Sequence, residues 1–145
     1  MDAASAPSLI AHHLEEIGVD ADRRGERAWS VSVPSAKRGG VGVLLLVGER
    51  RLSLRAFIVR GPDRDHLGVY RRLLDKNLTT HDWRFGIDAD GDVYAIADTP
   101  LAGLDGDVLD GLLGALSTLV DETYEGIVRM GFEVPEGTEF RPPPA

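Results

Sequence analysis

The stretch WRFGIDADGDVYAIAD, residues 83–98, decides how this chain folds. Its first part alternates between large apolar and small or polar side chains, which is typical of a strand with one buried face. The acidic run that follows leads into a second strand over residues 93–97. Because Asp90-Gly91 supplies the residues that a tight turn with positive φ prefers, we interpret the whole stretch as a β-hairpin.

Three more strands are predicted upstream of the hairpin. Ala28 to Val33 alternates between apolar and serine side chains, and Pro34 ends it. Val41 to Val47 is strongly apolar and is expected at the centre of a sheet. Apolar residues recur at every second position from Leu52 to Ile58. Because short links join these three segments, they predict an antiparallel meander.

Two helices are predicted before the hairpin. The spacing of leucine and isoleucine between Pro7 and Ile17 predicts the first, with Gly18 as its C-terminal stop. The second runs over residues 66–77, and either Asp63 or Asp65 can cap it. Its predicted apolar stripe consists of Leu67, Tyr70, Leu73 and Leu74.

A long third helix follows the hairpin, from an N-cap at Asp105 to about Phe132. Its apolar positions cover about half of its circumference, more than the stripe of roughly 100° that covers one sheet face. Burial by other segments of the chain and a partner surface both explain this width. On the second explanation we expect a homodimer, with interface candidates Leu109, Leu113, Leu116, Val120 and Tyr124.

These elements form one domain over residues 1–132, in the order helix, three strands, helix, two strands, helix. The polar, proline-rich residues 133–145 are predicted to be a disordered tail. The chain has no secretory signal pattern and no apolar run long enough to span a membrane, so we expect a cytoplasmic protein.

Charge is distributed unevenly along the 145 residues, whose net charge is −8. Residues 1–22 carry five acids and no base, residues 23–84 carry 14 bases and six acids, and residues 85–145 carry two bases and 13 acids. The block charges are therefore −5, +8 and −11. Either the halves face each other, within the fold or across a dimer, or the basic block is a surface for an acidic partner.

The residues give little support to catalysis, metal binding or a cofactor. The chain has no cysteine, no phosphate-binding glycine loop and no nucleophile elbow. The run from Asp88 to Asp92 lacks the Gly and Glu positions of a calcium-binding EF-hand, so we interpret it as a turn. The four histidines have no metal-ligand spacing. We expect no cofactor, no metal and no enzymatic activity, with an unrecognised enzyme as one alternative.

A nucleic-acid-binding regulator is the second alternative, because the basic block is rich in arginine. No helix-turn-helix, RNA-recognition or zinc pattern accompanies these residues, and the pI near 4.9 opposes binding to a polyanion. We therefore expect no specific nucleic-acid partner. The residues on which this alternative depends are Arg23, Arg24, Lys37, Arg38, Arg50 and Arg51.

Three segments together resemble the YbjN family, whose members are labelled sensory-transduction regulators. They are Leu73-Leu-Asp-Lys-Asn-Leu78, the hairpin of residues 83–98, and Thr99-Pro-Leu-Ala-Gly-Leu-Asp105. The same pattern is similar to type III secretion chaperones, including the Tir chaperone class. The resemblance implies an α+β fold, α-β-β-β-α-β-β-α, with one curved antiparallel sheet of five strands packed with helices, and often a homodimer. It implies no catalytic residues. We expect a protein-binding module, chaperone-like or regulatory.

Overall fold

The structure is a computed structural model, and it describes residues 5–133. All but the first residue of the predicted tail, 133–145, lie outside this part of the chain. The elements in chain order are α1 (Ala6–Ile17), β1 (Ala21–Gly25), β2 (Ala28–Val33), β3 (Val41–Val47), β4 (Arg51–Val59), α2 (His66–Asn77), β5 (Trp83–Ile87), β6 (Val93–Pro100) and α3 (Gly106–Gly131).

One antiparallel sheet holds all six strands, in the order β1-β2-β3-β4-β6-β5. Strand β3 lies inside the sheet, as its apolar sequence predicted. Alternate residues of β2, β3 and β4 are buried, whereas the residues between them are mostly exposed. The helices therefore cover one face of the sheet, and the opposite face is open to solvent.

The core lies between the covered sheet face and α3. This helix also contacts α1 and α2, which flank it. The buried Trp83 joins the two layers, because its indole Nε1 donates a hydrogen bond of 2.8 Å to the Leu112 carbonyl. Trp29 is also buried, as the alternation of β2 predicted.

The α+β fold and most of its elements are confirmed. Asp65 caps α2 by accepting from the Gly68 N–H, and Asp105 caps α3 by accepting from the Val108 N–H. Gly91 has a φ of 83°, as the predicted hairpin turn requires. These caps and turns are local features, which explains why short sequence signals predict them.

The expected number of five strands is wrong, because Ala21–Gly25 forms a sixth, β1. Four of its five residues are exposed, so it has no alternation of buried and exposed side chains. Backbone pairing with β2 holds it, together with the Arg23 guanidinium, which lies 4.9 Å from the centre of the Trp29 ring. An edge strand of this kind leaves no hydrophobic pattern in the sequence.

Candidate interaction surfaces

The five interface candidates of α3 lie in the core of the single chain. Their exposed fractions are 3% or less. The wide apolar arc of α3 is buried because the helix packs against the sheet on one side and against α1 and α2 on its flanks. In this structure no partner could reach these side chains, which are Leu109, Leu113, Leu116, Val120 and Tyr124.

A row of leucines on α2 is exposed instead. Leu67, Leu74 and Leu78 have exposed fractions of 78%, 67% and 82%. Their spacing of seven and four residues places Leu67 and Leu74 on one stripe of the helix, which Leu78, the C-cap residue with helical φ and ψ, continues. Ile87 at the end of β5 is 51% exposed and lines the same small apolar cavity as Leu74. We call these four residues the α2 leucine surface.

The sequence predicted a single buried stripe on α2, and this was wrong for two of its members. Val69 and Leu73 are the residues that α2 buries, whereas Leu67 and Leu74 face solvent. A helix of 12 residues with four leucine or valine side chains and only two of them buried carries an apolar surplus. Counting these side chains against the width of one buried stripe could have revealed the second stripe.

The uncovered sheet face is a second exposed surface, which we call the outer face. It contains a shallow groove of ≈ 640 Å³. Leu44, Leu46 and Ile96 are 36%, 45% and 38% exposed there. The residues that pairing and burial place on this face also include Ser30, Ser32, Gly42, Ser53, Arg55, Phe57, Arg84, Tyr94 and Asp98.

An aromatic and cationic cluster lies in the middle of the outer face. The Arg55 guanidinium lies 4.1 Å from the centre of the Tyr94 ring, within the range of a cation–π interaction. Phe57 meets the same ring edge to face, with 5.5 Å between the ring centres. These contacts cover Tyr94 and hold Arg55 in a defined position.

Pairs between the basic and acidic blocks support the self-complementary charge hypothesis. Lys37 lies 3.2 Å from Glu125, Lys76 lies 2.9 Å from Glu122, and Arg51 pairs with Asp98. Hydrogen bonds from Lys37 and then Arg129 hold the pKa of the Glu125 carboxyl below its usual value. The middle block is therefore neutralised in part by the last block of the same chain.

Several basic residues of the nucleic-acid alternative are bound internally. Arg38 donates to the carbonyls of Ile58 and Gly40, at 2.8 and 2.6 Å. Arg23 donates to the carbonyls of its own turn, and Arg24 donates to Ser30 Oγ at 2.9 Å. The basic residues are thus distributed among acidic groups and backbone carbonyls instead of forming one continuous basic face.

The carboxylates of Asp88, Asp90 and Asp92 offer oxygens within 4.8 Å of one another. Asp88 holds the turn, and Asp92 ties the turn to the segment that follows β4. Asp88 Oδ1 accepts from the N–H groups of Asp90 and Asp92, at 3.0 Å each, and Asp92 Oδ1 accepts from the Gly61 N–H at 2.7 Å. These bonds give the acidic run a structural role, as the sequence predicted.

No helix within residues 5–133 is long and apolar enough to cross a membrane.

The YbjN family, described as "Putative bacterial sensory transduction regulator", matches residues 6–129, which include every helix and strand except the end of α3. The chain belongs to the YbjN family. Among individual relatives, the chain is similar to the uncharacterized protein ML2442 of Mycobacterium leprae, with 32% identity over 86% of this chain and 68% of that protein. This YbjN protein spans 57% to 68% of the length of the mycobacterial relatives that it matches.

Solved structures with the same fold are type III secretion chaperones in complex with protein partners. In the ExsC–ExsE complex, the matched chain is 26% identical, with a TM-score of 0.53 over 84% of this chain and 93% of that chain. The Yersinia pestis chaperone SycH, in complex with a fragment of YscM2, is 20% identical, with a TM-score of 0.52 over 81% of this chain and 96% of that one. At that identity, SycH supports the fold alone.

Proposed function

We propose that this YbjN protein is a non-enzymatic protein-binding module, chaperone-like or regulatory, that works as a homodimer through the α2 leucine surface. The observation that carries the proposal is the row of three leucines, each at least two-thirds exposed, along one stripe of α2 and its C-cap. Burial of a leucine side chain contributes about 1.5–3 kcal/mol. A partner that covers the row therefore gains several kcal/mol from these side chains.

A second copy of the chain is a suitable partner for this surface. Arg71 and Asp75 are one helical turn apart and line the groove beside Leu74 and Leu78. In an antiparallel pair of α2 helices, a twofold axis brings residues near the middle of the helix opposite each other. The surface then offers leucines to leucines and, at its rim, an arginine to an aspartate of the other copy.

The comparisons support a protein-binding role of the chaperone-like or regulatory kind. The family is described as regulatory, and the solved neighbours are chaperones in complex with protein partners. The nucleic-acid alternative loses support, because Arg23, Arg24 and Arg38 are engaged within the fold. The exposed leucines also argue against a nucleic-acid partner, because a charged phosphate backbone does not cover an apolar surface.

Light scattering on Leu74→Glu tests the dimer. At tens of micromolar, we expect the wild type at about twice the 15.7 kDa of one chain and the variant at that mass. The melting temperature of the variant should fall only by the amount that dimerisation adds to that of the wild type, because Leu74 is 67% exposed in the monomer. Leu46→Glu, which changes a leucine that is 45% exposed on the outer face, is the matched control and should remain dimeric. A monomeric wild type, or a dimeric Leu74→Glu protein, would contradict the proposal.

A further inference from the structure

One row of side chains crosses the outer face from strand to strand. Leu44 of β3 pairs with Arg55 of β4, Arg55 pairs with Ile96 of β6, and Ile96 pairs with Arg84 of β5. All four residues are exposed. The row thus alternates between an apolar and a cationic side chain across four adjacent strands.

The two arginines of this row form no ion pair with any carboxylate of residues 5–133. Other arginines of the outer face do: Arg51 pairs with Asp98, and Arg24 lies 3.7 Å from Asp22. Arg55 is held in place by the Tyr94 ring, which leaves its charge uncompensated. An unpaired and positioned guanidinium is suited to a carboxylate, which it binds through two parallel N–H groups.

From this row we propose that the outer face binds an extended acidic segment of a protein partner, which crosses the strands with carboxylates on Arg55 and Arg84 and apolar side chains beside Leu44 and Ile96. The inference deepens the proposed protein-binding function and rests on it. The α2 leucine surface and the outer face then have separate roles: self-association at the first and partner binding at the second.

The spacing of the row sets the conformation of the segment. Neighbouring strands lie about 4.8 Å apart, so Arg55 and Arg84, two strands apart, are separated by roughly 9.6 Å at the backbone. A polyproline II segment advances about 3.1 Å per residue and repeats every three residues, or about 9.3 Å. In a β-strand, side chains on one face recur every two residues, at about 6.7 Å. We therefore expect acidic residues three positions apart in an extended polyproline II segment.

A protein segment fits this face better than a single-stranded nucleic acid. Nucleic acids bind to open sheet faces by stacking bases on aromatic rings, and here Arg55 and Phe57 cover the Tyr94 ring. Asp22 and Asp98 flank the row, and the net charge of −8 repels a polyanion. A short segment with two carboxylates makes local contacts with the arginines without extending a long charged backbone over the aspartates.

Selection from a phage-displayed library tests this site. The library presents peptides of about ten residues, roughly 31 Å long as polyproline II. The wild type and the double variant Arg55→Glu/Arg84→Glu serve as parallel baits. The wild type should select peptides with Asp or Glu three residues apart and apolar residues near them. For these peptides we expect the Kd of the double variant to be higher by about tenfold or more, since two attractions become repulsions.

Controls separate the site from the general function. Arg50→Glu reverses an exposed arginine of the β3–β4 turn and should bind the selected peptides as the wild type does. Three outcomes would overturn the site and leave protein binding intact. The acidic peptides could bind equally to all three proteins, the selected sequences could be basic or uncharged, or their carboxylates could recur at another spacing. If an oligothymidine binds the wild type more tightly than the selected peptides do at about 0.15 M salt, the outer face binds nucleic acid and the peptide site is overturned. If neither bait selects any peptide, the outer-face site is overturned, and light scattering still decides the dimer at the α2 leucine surface.

Discussion

The side-chain amide of Asn77 binds both backbone groups of Phe85. Its Oδ1 accepts from the Phe85 N–H at 2.8 Å, and its Nδ2 donates to the Phe85 carbonyl at 3.0 Å. Phe85 lies in the middle of β5, an edge strand whose outer backbone groups would otherwise face solvent. The last residue of α2 thus occupies the place of a neighbouring strand at this edge and blocks pairing with another chain.

Replacing Asn77 by Asp should destabilise the protein. The carboxylate still accepts from the Phe85 N–H, but it cannot donate to the Phe85 carbonyl and repels it. Leaving a part-buried polar group unpaired costs about 1–3 kcal/mol. Urea unfolding measures the change, and Arg84→Ala, an exposed substitution on the same strand, is the control. An unfolding free energy equal to that of the wild type would show that the amide clamp has no structural role.

Gly91→Ala should also destabilise, by more than about 1 kcal/mol, because a Cβ is disfavoured at the φ of 83° that the turn requires. The added Cβ would lie 2.7 Å from Tyr70 Oη, which donates a hydrogen bond to the Gly91 carbonyl. Gly114→Ala is the matched control: this exposed glycine of α3 has nothing within 4 Å of its Cβ position, so alanine should stabilise by about 0.5–1 kcal/mol. If both substitutions changed stability in the same direction, the conformational argument would fail.

Calcium should leave the melting temperature unchanged. The oxygens Asp88 Oδ1 and Asp92 Oδ1 are engaged by backbone N–H groups, and the run lacks the sixth-position Gly and twelfth-position Glu of an EF-hand. Thermal unfolding with added calcium and with a chelator provides the measurement. If calcium raised the melting temperature of the wild type, and raised that of Asp90→Asn by less, the hairpin would be a cation site.

The order of elements could be predicted from the sequence because its signals are local. The cap at Asp105 and the turn at Gly91 each depend on a few neighbouring residues, and both agree with the structure. Strand β1 could not be predicted in this way, because it is held by pairing with β2 and not by a hydrophobic face of its own.

The interaction surfaces were harder to predict, because which apolar stripe of a helix is buried depends on tertiary packing. The five candidates on α3 looked unpartnered because the sequence does not show that this helix lies between the sheet and two other helices. Conversely, Leu67 and Leu74 looked buried because they share a helical spacing with Leu73. The row of Arg55, Ile96 and Arg84 combines three strands, and only the strand order β4-β6-β5 brings them together.

Leu113→Asp and Val120→Asp should unfold the protein instead of separating a folded dimer. The two side chains are 3% and 0% exposed, and a carboxylate placed there has no partner in the apolar core. The cost of such a substitution approaches about 4–5 kcal/mol, which is close to the whole unfolding free energy of a protein at the lower end of the usual range of about 5–15 kcal/mol. Circular dichroism together with light scattering distinguishes the outcomes. A well-folded monomer of either variant would return α3 to the interface, whereas Leu74→Glu should be folded in the same assay.

Acid should remove the contribution of Glu125 to stability. Lys37 and Arg129 lower the pKa of this carboxyl in the folded state relative to its usual value of 4.5, so its contribution is present above that value and is lost as the pH falls through the lower folded pKa. Glu125→Gln lacks the charge at every pH. The wild type should therefore be more stable than the variant near neutral pH, and the two stability curves should converge in acid.

Because both ion pairs are exposed, the difference should also shrink in about 1 M salt. Glu49→Gln, in the exposed β3–β4 turn, is the control, and salt should change its unfolding free energy by the same amount as that of the wild type. A difference between wild type and Glu125→Gln that stays constant, or widens, as the pH falls would show that the carboxylate does not tie the β2–β3 loop to α3.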